Sequence, residues 1–129
     1  MQDVDTKLKK ILIVEDNKDM RMMYKIFFSG YEDKYSIDIE DKGIVALERL
    51  RKKDYDLIIL DIIMQPMSGD TFFVQVRSYE KTKTVPVLVI SVLNPDTLSY
   101  LRRINHIEFL QKPVTEEQLL SKIDEIFRF

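Results

Sequence analysis

The sequence predicts an α/β fold: a doubly wound (βα)5 unit around a five-stranded parallel sheet in the order 2-1-3-4-5. Three observations carry this. Ile11-Leu12-Ile13-Val14, Leu57-Ile58-Ile59-Leu60 and Val87-Leu88-Val89-Ile90 are apolar on both faces and too short for helices, as the inner strands of a doubly covered parallel sheet are. Tyr35-Ser36-Ile37-Asp38-Ile39 alternates polar and apolar residues like a half-exposed edge strand, and Glu108-Phe109-Leu110-Gln111 supplies the other edge. Helix-length segments separate these runs, which implies right-handed crossovers.

The elements follow in order. Residues 1–9 read as a short polar lead-in and residues 10–129 as one domain. Helices are expected over 16–29, 43–52, 70–80, 95–103 and from 115 to the C-terminus. Gly30 suits the left-handed position that closes the first helix, and Met20, Met23, Tyr24 and Phe27 form its core stripe. Asn94 is an N-cap ahead of the first-turn Pro95. Thr115-Glu116-Glu117-Gln118 reads as a capping box before a stripe of Leu119, Ile123 and Ile126.

Composition narrows the chemistry. The 129 residues suit one domain, and 45% apolar with 33% charged residues is a globular balance. Twenty basic against 22 acidic residues, a net charge of -2, argue against gripping nucleic acid by bulk electrostatics. The absence of Cys excludes a disulfide framework, a thiolate metal site and a Cys nucleophile, and it fits a reducing compartment. One His excludes a His-rich metal site. No apolar run approaches the ~18 residues of a membrane span, so a cytoplasmic protein with no membrane contact is expected. Carboxylates, hydroxyls, Lys and a bound ion are left to do any chemistry.

In a sheet of this order, ligands bind beyond the carboxyl ends of the strands, between the first and third. There the first strand runs into Glu15 and Asp16, and the third into Asp61. Three carboxylates gathered within a few ångströms would repel by about 4 kcal/mol per pair at about 4 Å and an effective dielectric of about 20. A divalent cation would relieve this, and an all-oxygen site with few protein ligands suits Mg²⁺. The plainer alternative is that Asp16 favours a helix N-terminus and Asp61 caps a loop. Ser91 ends the fourth strand, and Lys112-Pro113 follows the fifth. A lone Ser or Lys at such a place is ordinarily a turn residue or a solvated charge. Together the four strand ends offer carboxylates, a hydroxyl and an ammonium, a set suited to Mg²⁺ and a phosphoryl group.

Val14-Glu15-Asp16-Asn17 with Arg21, Asp56-Leu57-Ile58-Ile59-Leu60-Asp61 with Met64, Met67 and Gly69, then Ser91, then Lys112-Pro113, make an ordered set that resembles the receiver domains of two-component response regulators. The resemblance runs from Ile11 to the final helix. It implies a flavodoxin-like fold in which Asp61 is the phosphoacceptor, Asp16 a direct carboxylate ligand of Mg²⁺ (or Mn²⁺), and Glu15 a partner through metal-bound water. The Ile63 backbone carbonyl would complete the ligands. Ser91 corresponds to the switch hydroxyl, Phe109 to the switch aromatic and Lys112 to the phosphoryl-binding Lys, with a cis bond before Pro113. The implied donor is a histidine kinase or histidine phosphotransfer protein. The chain is then a signalling module, not an enzyme. Because no effector segment follows Phe129, output is expected to be a protein contact through the face of the fourth helix, fifth strand and fifth helix, unless the chain is a fragment.

Three positions depart from the commonest pattern: Pro66 stands one place later, Val92 replaces a small residue after Ser91, and Ile107-Glu108 precedes the fifth strand. Ile63 and Leu93, two residues after Asp61 and Ser91, can neither orient nor activate a water, which predicts a long-lived phosphorylated state. A receiver-like module that takes no phosphate is the alternative. A phosphohydrolase with an Asp nucleophile is disfavoured because Ile63 stands where its second acid would be. A flavin or nucleotide binder is disfavoured because Glu15 and Asp16 would repel phosphates.

Overall fold

A computed structural model describes residues 7–128, so most of the expected lead-in and the last residue lie outside the described residues. Strands β1 (Lys9–Val14), β2 (Tyr35–Glu40), β3 (Leu57–Leu60), β4 (Val87–Ser91) and β5 (Ile107–Gln111) alternate with α1 (Lys18–Phe28), α2 (Gly43–Lys52), α3 (Gly69–Ser78), a 3₁₀ helix (Pro95–Arg103) and α4 (Glu116–Phe127). All strand pairs are parallel, and the sheet order is β2-β1-β3-β4-β5. The expected fold class is the observed one.

The three apolar runs are buried throughout, because helices cover both faces of the inner strands. One half of the core joins Leu12, Val14, Ile58, Leu60, Val87 and Val89 to α2 and α3 through Leu47, Leu50, Phe72, Phe73 and Val76. The other joins Ile11, Ile13, Leu57, Ile59, Leu88 and Ile90 to α1 and α4 through Tyr24, Phe28, Leu119 and Ile123. Truncating Phe72 or Phe73, both fully buried, would cost about 3–5 kcal/mol. Edge strand β2 is half-buried along nearly its whole length, in line with its alternating sequence.

Local signals set most boundaries. Asn17, not Asp16, is the N-cap of α1, accepting from the Met20 N–H at 2.9 Å. Gly30 has φ +88° and follows Ser29 in a turn closed by the Tyr31 N–H on the Phe28 carbonyl at 3.0 Å, a conformation that favours glycine. The Thr115–Gln118 capping box is formed.

The fourth helical segment departs from the expected α-helix: it is 3₁₀ and kinked at Leu98 (φ -105°, ψ 15°). Its opening Asn94-Pro95-Asp96-Thr97 is rich in poor helix formers. Moreover, the Thr97 N–H and hydroxyl both donate to the Asn94 carbonyl, an i to i+3 closure that tightens the turn. Among the described residues no helix is long and apolar enough to cross a membrane.

Candidate functional site

The register of β1 on β3 pairs Val14 with Leu60, so Glu15 and Asp61 leave the sheet side by side, and the Asp61 N–H still reaches the Val14 carbonyl. Both carboxylates are buried. Across the sheet, β5 pairs Gln111 with Ser91 on β4, and the Lys112 N–H donates to the Ser91 carbonyl at 2.8 Å. This continuation of the ladder carries Lys112 over the strand ends. Its ammonium contacts Asp61 Oδ2 at 2.6 Å and Glu15 Oε1 at 3.2 Å. The Lys112–Pro113 bond is cis, as is Gln65–Pro66.

The electrostatics are unequal. Burial pushes the Glu15 carboxyl above its ordinary value, with Lys112 opposing and Asp61 adding to the rise. For Lys112 burial acts downward, but hydrogen bonding and attraction from Asp61 and Glu15 outweigh it and raise the pKa. One ammonium therefore serves two buried carboxylates, and the cluster keeps an excess of negative charge.

The expected trio of converging carboxylates is not what the structure shows. Asp16 is exposed, and its Oδ2 accepts from the Gln65 N–H at 3.2 Å in the β3–α3 loop; among the described residues no three acidic or His side chains form a metal cluster. A backbone donor in the shifted-proline loop draws Asp16 aside, while Lys112 occupies the space between the other two. What remains is a hard-oxygen donor set around net negative charge, which fits a Mg²⁺ ion that keeps several waters rather than a complete protein cage.

Backbone contacts fix this geometry. Asp61 Oδ1 accepts from the Ile63 N–H at 3.1 Å, and Glu15 Oε2 from the Asn17 N–H at 3.2 Å. Arg21 Nη1 donates to the Glu15 carbonyl at 3.1 Å and the Asp16 carbonyl at 2.8 Å, clamping the β1–α1 loop. Gly69 lies so close to the chain that an added Cβ would stand 2.2 Å from the Asp61 carbonyl oxygen. Any side chain there would displace the strand end that carries Asp61. The sequence marks Arg21 and Gly69 as motif members, but their reasons are visible only in three dimensions.

Other expected site residues stand further out. Ser91 is buried, and its Oγ accepts from the Leu93 N–H at 3.4 Å; among the described residues it makes no hydrogen bond to Asp61. Phe109 pairs with Val89, below the level of Ser91, half-buried on the core with the Arg102 guanidinium 4.8 Å from its ring centroid. Ile63 and Val92 are exposed, whereas Leu93 packs against the α2–α3 half of the core. A groove of about 570 Å³ lies between α1 and β2, and Glu15, Asp61, Ser91 and Lys112 do not line it.

Comparison with known proteins agrees with this geometry. The family model of the response regulator receiver domain matches residues 11–124. The chain is 30% identical over 128 residues to chemotaxis protein CheY-3 of Vibrio cholerae, covering 98% of each. Its fold superposes on the crystal structure of CheY4 from the same species with a TM-score of 0.85 at 26% identity, covering 93% of this chain and 99% of that one. It also superposes on the receiver domain of sensor histidine kinase PA1611 from Pseudomonas aeruginosa, TM-score 0.81 at 20% identity, covering 95% of this chain and all of that one. That structure is described with a magnesium ion coordinated in its active-site cleft. Against several curated relatives that are histidine kinases or longer regulators, the chain spans only 7% to 53% of their length.

Proposed function

The chain belongs to the response regulator receiver domain family, and from that premise we propose that it accepts a phosphoryl group on Asp61 from a histidine kinase or histidine phosphotransfer protein. The observation that carries this reading is the Lys112 ammonium held between two buried carboxylates at the carboxyl ends of β1 and β3. An Asp61 oxygen attacks the phosphorus of a phosphohistidine; the O–P bond forms as the P–N bond breaks, and the imidazole leaves with the electron pair. Lys112, already 2.6 Å from Asp61 Oδ2, offsets charge on the phosphoryl oxygens. The Ile63 N–H holds the other Asp61 oxygen and so orients the carboxylate. Asp16, Asp61 and the Ile63 carbonyl would hold Mg²⁺, or Mn²⁺ in its place, with Glu15 acting through a water. When bound, the ion would supply further positive charge to offset that of the phosphoryl group.

In this reading Ser91, which ends the strand next to β3, donates its hydroxyl to a phosphoryl oxygen and draws its loop inward. Phe109 then repacks, altering the face made by the 3₁₀ helix, β5 and α4 that contacts a downstream protein. The module acts stoichiometrically, and the domain is proposed to run over residues 10–129 in a cytoplasmic setting. Intact mass after incubation with acetyl phosphate and Mg²⁺ tests the reading. One added phosphoryl group, lost with Asp61→Asn, is expected; an unlabelled natural chain would favour an interaction module that takes no phosphate. Phe109→Ala is expected to impair target binding more than labelling, and equal loss of both would make Phe109 a plain core residue.

A further inference from the structure

The segment that follows Ser91 is held from the β5 side by two neighbouring residues. Gln111 is the register partner of Ser91, and the Lys112 N–H donates to the Ser91 carbonyl at 2.8 Å, the last rung between these chain segments. One residue further along, the Gln111 side-chain amide donates to the Val92 carbonyl, with Nε2 and oxygen 3.2 Å apart. The backbone makes a ladder rung whatever the side chains are, but this second contact exists only because residue 111 carries a donor at that reach. Gln111 and Val92 are both exposed, so water could serve either group and the bond adds little to the stability of the fold. Its weight falls on where the loop stands.

The sheet order sets the direction of the pull. β4 lies between β3 and β5, with Asp61 just past the end of β3 and Gln111 at the end of β5. A loop that moves from the end of β4 toward a phosphoryl group on Asp61 therefore moves away from Gln111. The Ser91 hydroxyl is ready for that move: its Oγ accepts from the Leu93 N–H at 3.4 Å, which leaves its own proton to give. The Ser91 carbonyl on the Lys112 N–H is the pivot, and the Val92 carbonyl is the first backbone acceptor beyond it.

We propose that Gln111 is a positioning residue that holds the Ser91–Leu93 segment toward β5 in the unphosphorylated protein and releases the Val92 carbonyl when Ser91 turns to a phosphoryl group on Asp61. The inference rests on the phosphoacceptor reading. Glu15 and Asp61 take their hydrogen bonds from Lys112 and from the Asn17 and Ile63 N–H groups, so Gln111 acts on the loop and not on the carboxylates. A ligand that grips only the inward loop binds less tightly when that state is scarce, and weakening the restraint makes it less scarce. A ligand that grips both positions equally is indifferent to the restraint.

Gln111→Met, which keeps the length of the side chain and removes the donor, tests this with saturating Mg²⁺ and beryllium fluoride, which mimics a phosphoryl group on a carboxylate. The variant should bind beryllium fluoride about threefold more tightly than the natural protein, the weight of one exposed hydrogen bond. A merely structural role for Gln111 would weaken binding instead. Ser91→Ala removes the hydroxyl that draws the loop, so adding Gln111→Met to it should leave the affinity where Ser91→Ala alone puts it. In the natural protein labelled with ¹⁵N, the Gln111 side-chain amide resonances, assigned by their absence in the variant, should shift on loading. Equal or lower affinity in Gln111→Met would overturn the proposal. So would the same gain in the Ser91→Ala background, or amide resonances that stay in place. Failure of the natural protein to bind beryllium fluoride would instead overturn the phosphoacceptor reading and this inference with it.

Discussion

The end of β3 and the edge at β2 each hold two carboxylates against basic side chains, and they are built in opposite ways. At β3, Glu15 and Asp61 share Lys112, whose side chain is only 11% exposed. At β2, Asp38 and Glu40 face Arg49 and Lys53, whose side chains are 38% and 37% exposed. Arg49 reaches both acids, and Lys53 Nζ donates to Asp38 at 2.7 Å, where the Tyr55 hydroxyl also donates. The edge cluster is balanced, two acids on two bases, and water reaches it. It fastens the half-buried edge strand β2 to α2 and sets charges along an edge that could otherwise pair with another chain. The buried cluster is short of one cation. Burial raises the Glu15 pKa; at Asp38 burial also acts upward, but Lys53, Tyr55 and Arg49 outweigh it and the pKa falls. Matched, wet charge serves as a fastening, whereas unmatched, dry charge holds a place for a ligand.

Removing a base should separate the two most strongly. Lys112→Met leaves two buried anions unpartnered and is expected to cost about 3–5 kcal/mol in urea unfolding. Arg49→Met, in a half-exposed network, is expected to cost about 1 kcal/mol or less. Similar losses would erase the distinction.

The pH response should then differ in sign. The folded pKa of Glu15 lies above its ordinary 4.5, so the stability it contributes is present below that pH and is lost as pH rises through the folded value. Glu15→Gln should remove this decline, worth about 1.4 kcal/mol per unit of displacement. The folded pKa of Asp38 lies below its ordinary 3.8, so its contribution is present above that pH and is lost as pH falls through the folded value. Asp38→Asn should flatten the acid limb instead, and unfolding curves from pH 3 to 7 read both.

The smallest expected effect concerns water near the buried cluster. Ile63→Asn, at an exposed apolar position, should shorten the phosphorylated lifetime several-fold, followed by loss of intact mass. Adding Leu93→Glu should bring little beyond it, because Leu93 packs on the core rather than toward the cluster. An unchanged lifetime in both variants would mean that water positioning does not limit hydrolysis.

The sheet was legible because its inner strands are continuous apolar runs whose burial needs two covering layers, and the caps at Asn94 and Thr115 because they act within a few residues, whereas the first helix was read from Asp16, one residue before its Asn17 cap. Glu15, Asp61 and Lys112 were legible as chemistry at strand ends. The direct contact of the Lys112 ammonium with both carboxylates was not, since it depends on side-chain conformations that the strand order does not specify. The turn of Asp16 toward Gln65 depends on a loop conformation that propensity does not encode. The edge network left a signal that could have been read: Asp38 and Glu40 alternate on one strand face while Arg49 and Lys53 stand four apart around the end of α2. Tyr24 reads at helical spacing as a core residue, and it is one.

Magnesium titration by calorimetry at pH 7 tests most directly the claim that unmatched buried charge makes the site. The natural protein should bind one Mg²⁺, Asp61→Asn should lose that binding, and Asp38→Asn should keep it unchanged. Undiminished binding by Asp61→Asn, or loss of binding in Asp38→Asn, would contradict the account.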